Sequence, residues 1–590
     1  MKKKSRPGHH QPVGRLRQAS TAGHQPWSGL NRFAERFWFV ILLGISLVAF
    51  GLRAFDLRAD PPPDLSWSSA IYSDEAHNAY SARNWALYGR WQIDDYIPYV
   101  VYPWLNIVTG IIFKLFGIGF VQLKVVSLLA GLLLVFIIFF FVRAAGSALS
   151  GLVAALLTAC CFPLVMYSRL GLAELSQVMF LAAAGLFLVH AERNRLAAFL
   201  SGVIALGAVL FVKVSSIFCP AAIGTLYLVE LIRHRRDKGR FRPILSSGLF
   251  WLLGALLPLT IWLLLIFLPH RADYLSYVLR HSLGAKAGHP SGLFAYLLNA
   301  FSVGAGSRLL SRIPIMASLG FAALPALWRT GQRRALAYLS YLLLFGVAML
   351  GYQLYHPDRY ELFTILPLLV AFALVISRLV NGQARICHPW PGPWGIAAYS
   401  LWLWPLMTHI ALHSRGFWGL VQARTESALL LSALFAAAAA STLLYGLHSL
   451  THGGIRLSQP GLRGALALLL LALTLGNDLS RYNNWLQSRT NNMFNYSREL
   501  DTLLPQNSVA AGFWAPAMLA TSHKRALFIS EGWHVNLDNP VGRFGVTHLV
   551  VSDEAEFRLL DSITSGRAAQ ARIVRRFPVR DRQIVILELP

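Results

Sequence analysis

Acidic residues are scarce in this chain, and their placement carries the first chemical signal. Of 27 Asp and Glu in 590 residues, seven fall between positions 56 and 95: Asp56, Asp60, Asp64, Asp74, Glu75, Asp94 and Asp95. Aromatics are interleaved with them, among them Trp67, Tyr72, Tyr80, Trp85, Trp91 and Tyr96. Carboxylates bind hydroxyls and aromatic faces pack on sugar rings, so the stretch suits a carbohydrate site. It would also serve as an interfacial aromatic belt with solvated charges.

At its centre Asp74-Glu75 follows Ser73, a good helix N-cap, and Gly89 makes a good helix stop. A carboxylate here can take a proton from an attacking hydroxyl. Two acids in a first helical turn also complement the helix dipole, and residue types alone leave both readings open. Three cations fall at the ends of apolar runs: Arg169, Lys213 and Arg359. Cations there suit a phosphate leaving group at a membrane surface. Lys213 could equally snorkel to the interface, and the two arginines could form ordinary loop-end ion pairs. A divalent metal is conceivable because acids and His77 cluster, but no spacing in the chain is a metal signature. Walker A, dinucleotide-binding, zinc-protease and serine-hydrolase motifs are all missing from the sequence.

The elements that must position these residues are apolar. The chain is 55% hydrophobic and 14% charged, against about 25% charged for a soluble domain. Apolar runs predict thirteen membrane spans, at 37–55, 121–142, 149–167, 175–191, 196–212, 214–232, 245–268, 312–328, 335–352, 361–380, 394–413, 426–447 and 463–479. Residues 103–117, interrupted by Lys114, predict a juxtamembrane helix. The net charge of +26 gathers in short runs beside the spans: residues 1–36 hold eight Lys/Arg and 233–242 hold six. Such runs follow the positive-inside rule, and no nucleic-acid recognition motif accompanies them. They place the tail 1–36 in the cytoplasm and put loop 56–120, the 213 turn and residues 353–360 on the opposite side. Thirteen spans put the C-terminus there too. Residues 481–590 are polar enough for a small α/β domain, with strands near 508–514, 526–530 and 546–552, a hairpin of 571–578 with 583–589, and helices at 493–504 and 553–561. The fold class expected is therefore an all-α polytopic membrane protein, 37–480, carrying a small C-terminal α/β domain.

Three words in the chain resemble one family. Asp74-Glu75, Tyr80, Ala82-Arg83 and Gly89-Arg90-Trp91 look like the first external loop of GT-C glycosyltransferases that use lipid-phosphate sugars. Tyr167-Ser168-Arg169 through Glu174 looks like the second external loop, and Asp358-Arg359-Tyr360 with Pro367 like the late Arg-Tyr…Pro segment. The relatives are the protein O-mannosyltransferase-like family and the lipid A aminoarabinose transferases. The second acid is often Asp in that family and is Glu174 here. The resemblance implies sugar transfer from a polyprenyl-phosphate donor to a hydroxyl of a glycan, lipid or protein, with inversion. It implies Asp74 as general base, and Glu75 and Glu174 join it as catalytic candidates: Glu75 as helper or runner-up, Glu174 to orient the acceptor, bind sugar hydroxyls or join a metal site. It implies Arg169, Lys213 and Arg359 on the donor phosphate, and His77, Tyr80, Arg83 and Tyr360 on substrate. The location implied is a bacterial inner membrane, with site and C-terminal domain outside the cytoplasm. Two other readings fit the composition: a transporter or flippase of lipid-linked sugar, and a noncatalytic assembly factor of the cell envelope.

Overall fold

The computed structural model describes residues 28–277, 308–327, 333–351, 357–390, 392–413, 426–452 and 455–590. Each of the thirteen expected apolar segments is occupied by a helix. Among the described residues ten helices are long and apolar enough to cross a membrane and a bent pair makes an eleventh candidate, against the thirteen spans expected for the whole chain. Pro314–Leu327 is described over 14 residues, up to the last described position of that stretch. Pro393–His413 is long enough, but Trp394, Trp402, Trp404, Pro405 and His409 dilute its apolarity. Pro103–Phe116 forms the expected short helix.

The bent pair is Ala148–Cys160 and Phe162–Ser168, which meet at 59°. Pro163 sits in the first turn of the second piece, where it has no amide to continue the ladder. A break inside a bilayer frees carbonyls that must be satisfied internally. Arg53, fully buried, does this: its guanidinium donates to Ala159 O at 2.7 Å and Thr158 O at 2.8 Å.

A second interruption falls at Lys213. The helix from Arg195 widens into a π-turn over Ala208–Val212, Lys213 is extended, and a 3-10 turn Val214–Ile217 opens the next helix, Phe218–His234. Gln177 donates to Ser215 Oγ at 3.2 Å and Ser216 Oγ at 3.1 Å, which fixes the turn that carries the lysine.

The last long helix, Pro460–Ser488, leads into Asn492–Leu503 and a five-stranded mixed sheet. Its strands are β1 (Val509–Ala511), β2 (Arg525–Leu527), β3 (His548–Val551), β4 (Arg572–Val579) and β5 (Arg582–Glu588), in the order β2-β1-β3-β5-β4. The first three are parallel, while β5 runs antiparallel to β3 and β4. All five strands and the helices Asn492–Leu503 and Glu554–Ile563 fall where the alternating pattern put them. The β4–β5 hairpin turns through Arg580, which takes a positive φ of 53°.

Candidate active site

The first loop folds into two short helices, Asp74–Asn78 and Tyr80–Tyr88, separated at Ala79 and ended by Gly89 in the left-handed region at φ 71°. The break and the helical twist send neighbouring side chains in different directions, since consecutive residues on a helix point about 100° apart.

Asp74 faces the ends of the membrane helices. Its Oδ2 meets Arg359 Nη2 at 2.5 Å. Arg359 Nε in turn meets Glu174 Oε1 at 3.2 Å, and that same oxygen accepts from Lys213 Nζ at 2.8 Å. The Lys213 ammonium lies 3.9 Å from the centroid of the Tyr360 ring. Two acids and two cations thus form one chain, Asp74–Arg359–Glu174–Lys213, with side-chain exposures of 17% or less. Each comes from a different element: the first-loop helix, the 3-10 turn Asp358–Thr364, the first turn of Ala173–His190, and the Lys213 break. Lys213 therefore pairs with a carboxylate rather than snorkelling. Arg359 Nη1 and Glu174 Oε2 are buried and make no hydrogen bond among the described residues. The Arg359 turn is anchored through its neighbour Asp358, which pairs with Arg312 at 3.1 Å. Tyr102 lies against the same charges. Burial, and then Tyr360 and Glu174, push its phenol up.

Glu75 is not brought to this cluster. It is buried elsewhere, on the side of Lys124, which is itself buried. Burial pushes the Glu75 carboxyl up while Lys124 opposes the shift. Arg169 also lies apart. Its guanidinium donates to Arg53 O at 2.9 Å, Phe55 O at 2.5 Å and Asp56 O at 2.7 Å, and lies 4.4 Å from the Trp485 ring. The first carbonyl is in the last turn of the helix Ser28–Ala54 and the other two follow its end, so Arg169 closes that helix end.

His77, Tyr80 and Arg83 share a third direction, and all three reach the C-terminal domain. His77 Nε2 is 2.7 Å from Phe513 O, its ring packs on Phe513 and Phe528, and its Nδ1 is 3.7 Å from Asp74 Oδ1. The Tyr80 hydroxyl donates to Ala526 O at 2.7 Å and to Asp94 Oδ2. Arg83 Nη2 donates to Ser522 O at 2.7 Å and Lys524 O at 2.6 Å. Gly512, at φ 146°, lets the chain leave β1 against Val550 O, a space a Cβ would invade, and so aims Phe513 O at His77. Asp94 completes the contact. Burial, offset in part by Tyr80, lifts its carboxyl to about 6. Asp60 adds a separate tie, accepting from Thr490 Oγ1 and the Asn492 amide at 2.7 Å each.

Lys124 and Arg312 are site residues that pattern reading did not single out, while Asp60 and Asp94 stood among the first-loop acids without a role. A lone lysine inside the apolar run 121–142 is a signal that could have found the first. Among the described residues, no group of three or more His, Cys, Asp or Glu side chains is placed to hold a metal ion.

Residues 100–262 match the family model described as dolichyl-phosphate-mannose-protein mannosyltransferase. No curated protein sequence matches significantly. Among solved structures, ArnT from Cupriavidus metallidurans bound to undecaprenyl phosphate is similar over 93% of this chain and 98% of its own, at 13% identity and a TM-score of 0.53. The apo form of that protein gives the same identity and TM-score, over 94% and 98%. Residues 100–262 thus carry a match to a mannosyltransferase family, and the fold of the whole chain is similar to that of ArnT.

Proposed function

We propose that the chain transfers a sugar from a polyprenyl-phosphate donor to an acceptor hydroxyl, with inversion at the anomeric carbon and Asp74 as the general base. The observation that carries this reading is the buried chain Asp74–Arg359–Glu174–Lys213, gathered from four separate elements at one end of the helix bundle. A family match to transferases that use dolichyl-phosphate sugars and a fold shared with an undecaprenyl-phosphate-bound protein support the donor class.

In this reading the donor phosphate competes with Asp74 and Glu174 for Arg359 and Lys213. Arg359 Nη1 offers a further donor to it. Charge-assisted contacts to a phosphate are strong, and they grow in value as negative charge develops on the leaving oxygen. Once Arg359 turns to the phosphate, Asp74 is released to take the acceptor proton. The acceptor oxygen forms its bond to the anomeric carbon on the face opposite the phosphate. The carbon–oxygen bond to phosphate breaks, its electron pair stays on the phosphate, and polyprenyl phosphate leaves. Glu174 holds Lys213 and Arg359 in register, and Tyr360 packs beneath the lysine. Arg169 and Glu75 support the loops from behind. His77, Tyr80 and Arg83 hold the C-terminal domain over the site rather than gripping the sugar.

The cluster end of the bundle is assigned to the noncytoplasmic side. Helices that begin at the cluster lead away to basic stretches: Ala173–His190 runs to Arg193 and Arg195, and Phe218–His234 to the run 233–242. The positive-inside rule puts those stretches in the cytoplasm.

The test is transfer from a synthetic polyprenyl-phosphate sugar by the full-length protein in proteoliposomes, with the anomeric configuration of the product read by NMR. Asp74→Asn should fold and insert yet leave the donor intact. Normal turnover by that variant, or a product with retained configuration, would overturn the reading.

A further inference from the structure

A second site lies on the far side of the first loop. Between the entry of the helix Phe120–Ala145 and the helix Asn492–Leu503 runs a groove of about 470 Å³. None of its lining residues belongs to the Asp74 cluster. Phe494 is its hub: Phe120 packs edge-on to that ring, and two guanidinium groups lie over it, Arg58 at 4.9 Å and Arg498 at 5.8 Å from the centroid.

Several nearby cations are spent on carboxylates. Arg489 pairs with Asp56, Lys524 with Asp501, Arg543 with Asp95 and Arg575 with Glu499. Arg58 and Arg498 form no ion pair among the described residues, though both line a groove that contains a carboxylate. That carboxylate, Asp501, is committed to Lys524 at 3.0 Å and to the Ser522 hydroxyl. Two unpaired guanidinium groups are left meeting at one aromatic face.

Position decides what could fill it. Phe120 opens a membrane-crossing helix, and Arg58 follows closely after Ala54, where another ends. The groove therefore sits at the level of a membrane surface. Beside it Leu115 and Phe116 are about 70% exposed, and the Phe116 carbonyl accepts from Gln122 of the groove, so an apolar path adjoins it. We infer that the groove binds the phosphate headgroup of an anionic bilayer lipid, with Arg58 and Arg498 on the phosphate and the acyl chains along Leu115 and Phe116. This goes beyond the transferase reading. The lipid would tie the C-terminal helix Asn492–Leu503 to the membrane. A soluble phosphate shares the headgroup chemistry but makes no use of the apolar path.

Full-length protein is equilibrated in mixed micelles of phosphatidylglycerol and phosphatidylcholine, and the lipid retained is counted by native mass spectrometry. The wild type should retain phosphatidylglycerol preferentially, and an Arg58→Gln/Arg498→Gln double variant should lose that preference by about tenfold. Arg575→Gln, an exposed arginine on β4 that is already paired, serves as the control and should keep it. If the double variant does not fold, Arg498→Gln alone carries the test, because its side chain is exposed, and it should lose part of the preference. Equal retention of the two lipids by the wild type, or an unchanged preference in the arginine variants, overturns the proposal. Displacement of the lipid by equimolar inorganic phosphate also overturns it, because a soluble anion would then be the ligand.

Discussion

Asp74 and Arg83 lie on consecutive short helices of the first loop, and they end in opposite surroundings. Asp74 meets a side-chain cation, Arg359, which in the proposed reaction the donor phosphate takes from it. Arg83 meets fixed partners: backbone carbonyls of the C-terminal domain, which no ligand displaces without unseating the domain. The same contrast separates Lys213, paired with Glu174, from Arg169, locked on the carbonyls of a helix end. Cations exchangeable between a carboxylate and a ligand can do chemistry, while cations spent on main-chain oxygens hold architecture.

The largest effect tests the exchangeable side. Asp74→Asn should lower transfer by about 10²–10⁴-fold while the melting temperature changes little, measured by turnover and thermal unfolding on the same preparation. A parallel loss of fold would put Asp74 with the fixed group.

Arg169→Gln tests the fixed side. Losing charged hydrogen bonds to three carbonyls should destabilise the protein by about 3 kcal/mol or more, seen as a lowered unfolding transition. Surviving folded protein should keep its donor KM. A raised donor KM with unchanged stability would move Arg169 to the phosphate.

Lys213→Gln is expected to raise the donor KM by about tenfold, the worth of one charge-assisted contact, with acceptor KM unchanged. Steady-state kinetics with each substrate varied in turn checks the split.

The domain contact should also answer to pH. Burial lifts Asp94 from 3.8 to about 6, so the folded protein holds a proton that the unfolded chain has already lost. The stability contributed is complete below 3.8 and is lost as pH rises through about 6, with a slope of at most about 1.4 kcal/mol per pH unit. Asp94→Asn should flatten that part of the stability profile and keep an acceptor for Tyr80. The smallest effect is expected at Arg543, whose pair with Asp95 is exposed: Arg543→Ala should cost about 0.2–1 kcal/mol by chemical denaturation and leave transfer unchanged.

What the sequence determined by itself is local. Apolar runs of span length must become helices in a bilayer, because every amide needs an internal partner there. Period-two alternation after residue 505 gave the five strands, and a lysine between two apolar runs marked the break at 213. The acids of the first loop stood out because acids are rare in the chain. Only the tertiary structure decided where those side chains point. Asp74 and Glu75 are adjacent in sequence yet face a cation cluster and Lys124 respectively, because helix twist separates them and packing chooses the sides. Arg169, His77, Tyr80 and Arg83 went to main-chain oxygens that appear only once a helix has ended or a strand edge has docked. Of the thirteen expected crossings, ten or eleven candidates are met among the described residues. Residue type fixes what a group can bind, but the partner it meets is set by chain segments hundreds of residues away.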